Sequence, residues 1–362
     1  MSIVIGWDVG GVHLKAARAE SGRIVKAVQL AAPLRGGVQC LAEAFDRAKA
    51  ELGAAQHHIV TMTGELADTF SSRPEGVECL AMLAARKLNG APVSIYAGPA
   101  GYVRPEEARE HAGLVASANW HACASFIAGR CRNALLIDMG STTTDVVPIA
   151  DGAVAARGYT DAQRLAAGEL VYTGLVRSFI MASADRAPFK GSWTPLINEN
   201  FANMADVYRI LDSLPADVDM MATADGREKT RKGSLARLAR MVGADAAEAD
   251  DRAWTALARW FGETQIRSVM DAVMLVNSQH VLPADAPVVG AGIGAHVVRE
   301  IAQRIGRGYV AFDALLDAAP QARAAASQCA PAAALAQQRK SVFLLNCALS
   351  MPPYWPQGKF GI

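Results

Sequence analysis

The sequence carries no surplus of charge: 36 Lys and Arg stand against 35 Asp and Glu, a net of +1. A chain so balanced offers no broad attraction to nucleic acid or an anionic membrane, and a small-molecule partner is expected instead. No apolar run approaches the ~18 residues of a membrane span, because charge or glycine interrupts every stretch. Six cysteines (Cys40, Cys79, Cys123, Cys131, Cys329, Cys347) include no C-x-x-C pair, and the N-terminus is strand-like without a basic leader. Reduced thiols and a cytoplasmic location are therefore expected. Metal-ligand spacing is missing from His57, His58, His111, His280 and His296, which argues against zinc.

The 362 residues that are there exceed what one small core accommodates, so two domains with a ligand cleft between them are expected. Turn and strand signals predict a meander of Ser2–Trp7, Val12–Glu20 and Arg23–Leu30, then a helix over Gly37–Leu52 and a buried strand at His58–Met62. A helix over Val77–Leu88 and a strand at Val93–Ala97 come next; the helix Ala116–Arg130 feeds the strand Ala134–Ile137. A second meander is read at Thr143–Pro148 and Ala153–Arg157, and an amphipathic helix over Glu169–Met181. Residues 188–225 read as an irregular insertion near the cleft, and the apolar stripe of Arg252–Val281 as a long core helix. Pro287–Val289, Ala295–Ile305 and Arg307–Phe312 read as strand, helix and strand, before an irregular tail over 341–362.

An internal repeat carries the chemistry. Ile3–Gly11 and Leu135–Ser141 each run an apolar strand into Asp-x-Gly followed by Gly or Ser, and Lys15 and Asp145 each lie seven residues after the repeated aspartate. Glycine-rich turns let successive N–H groups approach an anion, so Gly10, Gly11, Val12, His13 and Gly140, Ser141, Thr142, Thr143 are phosphate-binding candidates. Carboxylates at the strand ends, Asp8 and Asp138, are suited to Mg²⁺, and Lys15 to a phosphate charge. A third cluster at Gly290, Gly292 and Gly294 precedes a helix N-terminus, where anions also bind. Read alone it fits a dinucleotide fingerprint, but too little chain follows to complete such a domain.

In this order the three clusters resemble the phosphate-1, phosphate-2 and adenosine motifs of the actin, sugar kinase and heat-shock ATPase superfamily, over roughly residues 3–335. That likeness implies a two-lobed, actin-like (ribonuclease H-like) α/β fold with duplicated β-meander cores. Residues 1–130 would form the first lobe, 131–335 the second, and 336–362 an irregular tail. More narrowly, Val60–Leu66, Tyr96–Gly101, Ser117–Trp120 and Leu165–Glu169 resemble the hydantoinase/oxoprolinase-like branch linked to tetrahydromethanopterin one-carbon metabolism. This branch includes enzymes of methanofuran and methylofuran synthesis. The resemblance implies transfer of an aminomethylfuran-methyl group from its diphosphate to the phenolic oxygen of a tyramine, tyrosine or glutamylated acceptor, with diphosphate released and no ATP consumed. The candidate base would be Asp145, Glu65 or His121, with Thr63, Asn119, Gly168 and Glu169 in the substrate cleft. A second Asp or Thr, common early in the first turn of kinases of the superfamily, is replaced here by Gly10–His13. An ATP-dependent small-molecule kinase or amidohydrolase remains an alternative, as does a nucleotide-gated interaction protein, and self-association is left open.

Overall fold

In a computed structural model describing residues 2–279 and 282–338, the repeat is built as two matching hairpins. The first lobe holds β1 (Ile3–Val9), β2 (His13–Glu20), β3 (Arg23–Ala31), β4 (His57–Met62), β5 (Val93–Tyr96) and β6 (Tyr102–Val103), in sheet order β3-β2-β1-β4-β5-β6. The second holds β7 (Ala134–Met139), β8 (Thr144–Ala150), β9 (Ala153–Val154), β10 (Leu170–Val171), a separate hairpin of β11 (Arg186–Phe189) and β12 (Ser192–Pro195), then β13 (Val288–Ala291) and β14 (Tyr309–Ala311). Its sheet runs β10-β8-β7-β13-β14, with β9 on β8.

In each lobe a central strand pairs antiparallel with the strand after it and parallel with a later one: β1 with β2 and β4, β7 with β8 and β13. The register explains the seven-residue offset, since Asp8 lies opposite Lys15 and Asp138 opposite Asp145. Both turns close with the same hydrogen bond, Gly10 N–H to His13 O and Gly140 N–H to Thr143 O, each 2.9 Å. The two-lobed α/β architecture with duplicated meanders is thus as expected.

Alternation along β1 and β2 sends Ile5, Trp7, Val9, Leu14 and Ala16 into a first-lobe core beneath the helices Val38–Leu52 and Arg73–Lys87. The second lobe buries Leu135, Ile137 and Val146 against the helices Met204–Ile210, Arg231–Met241, Asp251–Asn277 and Ala295–Arg304. A third core joins the lobes, packing Ala17 and Ile24 with Trp120, Phe126, Leu136, Val289 and the alanines of the helix Ala330–Gln337. That helix crosses β1 so closely that a Cβ on Gly6 would stand 2.1 Å from Ala332 O.

Three readings need correction. The expected helix over Glu169–Met181 is absent. The helix is Asp161–Ala167, opened by a Thr160/Gln163 capping box and ended by Gly168 in the left-handed conformation. Beyond β10 the chain folds onto the second turn, where a Cβ on Gly174 would lie 2.6 Å from Ser141 C. The connecting helix begins at Asn119, not Ala116, because Ser117 has a φ of 53°. Residues 188–225 contribute the β11–β12 hairpin and the helix Met204–Ile210 to the second lobe's core, and none lines the cleft.

The five cysteines among the described residues form no disulfide. No helix of those residues is long and apolar enough to cross a membrane. Cys347, His280 and the tail 341–362 lie outside them.

Candidate functional site

Both hairpin turns open into one cavity of about 460 Å³ between the lobes. In each turn the carbonyls are bound from behind. Gly11 O and Val12 O accept from the N–H groups of Leu34 and Ala32 at 3.0 and 2.7 Å; Gly140 O accepts from Leu175 at 3.0 Å, and Ser141 O from Val176 and Arg177 at 3.2 and 2.8 Å. The N–H groups of Gly11, Val12, Ser141 and Thr142 make no backbone hydrogen bond among the described residues. Two facing turns with these carbonyls engaged and their N–H donors spare have the donor pattern that suits an anion.

Charge is arranged to match. Lys15 and Arg177 line the cavity without an ion-pair partner among the described residues, and Arg177 Nη1 lies 3.5 Å from Thr142 Oγ1. Asp8, also on the wall, is 4% exposed and its Oδ1 has no hydrogen-bond partner. Burial pushes its carboxyl above the usual range against the pull of Lys15. Asp138 stands behind the cavity lining, its Oδ2 4.0 Å from Cys123 Sγ. Burial first and Asp145 second raise it to about 7. Asp145 is raised by burial, with Arg164 opposing from 2.9 Å.

No three His, Cys, Asp or Glu side chains among the described residues gather closely enough to cage a metal. Magnesium does not require such a cage, since it keeps several waters and takes one or two carboxylates plus phosphate oxygens. The unpartnered Asp8 Oδ1 and the neighbouring Asp138 carboxylate suit that donor set.

The hydantoinase/oxoprolinase family model matches residues 57–341, well over half of the chain. The chain belongs to the hydantoinase/oxoprolinase family. A relative from Methanocaldococcus jannaschii, named (4-{4-[2-(gamma-L-glutamylamino)ethyl]phenoxymethyl}furan-2-yl)methanamine synthase, is 33% identical over 244 residues, covering 67% of this chain and 72% of its own. A protein of the same name from Methanococcus vannielii is 29% identical over 169 residues, or 47% of this chain and 74% of that one. Among solved structures, a ROK family glucokinase from Streptomyces griseus in complex with glucose and AMPPNP covers 92% of this chain and 98% of its own at 15% identity and a TM-score of 0.46.

In this hydantoinase/oxoprolinase family member, Asp8, Gly10, Gly11, Val12, His13, Lys15, Thr63, Asn119, Gly140, Ser141, Thr142, Thr143 and Asp145 all line the one cavity. Eight other expected site residues do not, Asp138 behind the lining among them. Glu65 is 1% exposed and accepts from Ser117 Oγ at 2.9 Å, outside the lining. His121 sits between Tyr96 Oη at 2.8 Å and Ser125 Oγ at 3.2 Å, among the rings of Trp120 and Tyr159. Gly168 is a helix terminus against Leu275, and Glu169 accepts the N–H groups of Arg157 and Gly158 at 2.6 and 2.9 Å. The glycines of the third cluster are spacers: Cβ atoms would meet the Tyr309 ring from Gly290, Met139 O and Asp138 Oδ1 from Gly292, and Met139 Sδ from Gly294, all within 2.6 Å.

Arg164 and Arg177 escaped the sequence reading. Arg164, 1% exposed, reaches the cavity wall bonded to Asp145 and lying 4.1 Å over the Trp120 ring. The Thr160/Gln163 capping box was the available signal that this arginine belongs to a helix entering the cleft.

Glu65 gives the family member a pH signature. Burial lifts its carboxyl from 4.5 to about 7. Between those values the folded state keeps a proton that the unfolded state has lost, so stability falls as pH rises and levels off above about 7. Glu65→Gln removes this dependence. The stability difference between variant and parent is expected to shift by about 3 kcal/mol in the variant's favour from pH 4 to pH 8. Urea denaturation at both pH values checks it, and a constant difference would refute it.

Proposed function

We propose that the chain couples an aminomethylfuran-methyl diphosphate to the oxygen of a phenol, as a transferase that forms an aryl ether and releases diphosphate. The phenol would be tyramine, tyrosine or a glutamylated form, and the product would serve methanofuran or methylofuran synthesis. One observation carries this reading: two facing turns with spare N–H donors, flanked by Lys15 and Arg177, suit an anion with two phosphoryl groups. The name of the relatives supports it, since a phenoxymethyl-furan methanamine contains that aryl–O–CH₂–furan link.

The N–H groups of the two turns would hold the phosphoryl oxygens, and Lys15 and Arg177 would balance their charge as the C–O bond to the methylene carbon breaks. The electron-rich furan stabilises positive charge on that carbon. Mg²⁺, when bound, would neutralise charge building on the departing diphosphate. Asp8 and Asp138 are the carboxylates to hold it. Thr63 and Asn119 border the space left for the acceptor ring. The relatives' shared name favours this reading over the kinase or amidohydrolase alternative.

Incubating the pure protein with Mg²⁺, the furan diphosphate and tyramine should produce the ether and diphosphate in equal amounts. Acceptor-stimulated phosphate release from ATP, with no ether, would overturn the reading. Lys15→Ala should raise the apparent affinity constant for the diphosphate substrate by about tenfold and leave that for the phenol unchanged. Equal effects on both substrates would remove Lys15 from the diphosphate site.

A further inference from the structure

The coupling reaction must take a proton from a phenol whose pKa is about 10, and the cavity's carboxylates are otherwise engaged. Asp145 is bound to Arg164 at 2.9 Å, and Asp161 to Arg73 at 2.7 Å. Asp68 is at the rim, its side chain 88% exposed. Asp8 and Asp138 suit the metal, and Glu65 and His121 lie outside the lining.

His13 is left. It opens β2, where alternation puts it on the face of Lys15, opposite Leu14 and Ala16 in the core. His13 is among the residues lining the cavity, it is 8% exposed, and its buried Nε2 has no hydrogen-bond partner among the described residues. On the strength of the coupling reading, we propose that His13 is the base of the ether-forming step. The phenolic oxygen bonds to the methylene carbon, and the carbon–oxygen bond to the diphosphate breaks with its electron pair leaving on the diphosphate. The phenolic proton passes to the His13 imidazole and from there to the freed diphosphate. Atoms and charge balance without a co-reactant.

The surroundings make this base dependent on substrate. Burial, then Lys15 and Arg177, hold the imidazole down at about 4 and therefore neutral. A diphosphate seated between those two cations offsets both, so the ring becomes a better proton acceptor when the reacting carbon arrives.

His13→Gln and His13→Ala in the full chain, with Mg²⁺, the furan diphosphate and tyramine, test this. Turnover should fall by about 100-fold or more, while calorimetry with inorganic diphosphate shows unchanged affinity. Ring-fluorinated tyramines, being more acidic, should shrink the deficit. Turnover in His13→Gln within about twofold of the parent, a deficit equal for all phenols, or diphosphate affinity lost in step with turnover would each overturn the assignment. If the parent protein itself makes no ether, the coupling reading fails and this inference with it.

Discussion

Asp8→Asn should lower turnover by about 1,000-fold or more, some 4 kcal/mol in the barrier, while the protein becomes no less stable. The two halves of that expectation have one origin. For a carboxylate 4% exposed with Oδ1 unpartnered, the desolvation of its ionised form outweighs the attraction of Lys15. Asparagine keeps the shape and removes the penalty, so thermal unfolding should hold steady or move upward. Such a group is retained for what binds it, here Mg²⁺ and the diphosphate. Asp138→Asn should behave alike, and titrating Mg²⁺ against activity separates the cases. An unchanged Mg²⁺ dependence in both variants would falsify the metal assignment, and a large loss of stability would make Asp8 a structural residue.

The reason Asp8 could be read from sequence is local. An apolar strand, an acid and a glycine turn are contiguous, and their recurrence at Asp138 with the same seven-residue offset is a register statement that β1–β2 and β7–β8 confirm. Glu65, His121 and Glu169 could not be placed that way, because whether a polar side chain faces a cleft or a neighbour depends on partners distant in sequence. Glu65 meets Ser117, and His121 meets Tyr96. Glycines carry a related ambiguity. Those at 290–294 look like an anion loop, yet their missing Cβ atoms make room for Tyr309 and Met139. The misplaced helix over Glu169–Met181 has a different cause: an apolar spacing outweighed the stronger stop signal of Gly168.

Arg164→Met should cost about 3–5 kcal/mol in stability at pH 8, since removing one partner of a buried ion pair leaves the other charge uncompensated. The guanidinium, 1% exposed, donates to Asp145 Oδ1 at 2.9 Å and to Glu169 O at 2.8 Å while stacking on Trp120. Methionine fills the volume and provides none of this. The sign with pH follows from Asp145, whose carboxyl burial already raises and Arg164 opposes. Without Arg164 its folded-state pKa climbs further, so the stability loss should grow with pH and shrink in acid, where Asp145 is protonated. Asp145→Asn added to Arg164→Met should restore much of the loss. Denaturant melts of the two single variants and the double variant measure it; a loss under about 1 kcal/mol at pH 8, or no recovery in the double variant, would show that the pair is not coupled.

The helix Ala330–Gln337 covers Gly6 of β1, a strand far earlier in the sequence. During synthesis, then, the first sheet emerges long before this helix and keeps an apolar flank open until residues 330–337 have followed. A ribosome-bound chain halted before Ala330 should be protease-sensitive in β1 even with both sheets complete, and the helix Ala330–Gln337 acts as the latch that makes two separately assembled lobes one cooperative unit.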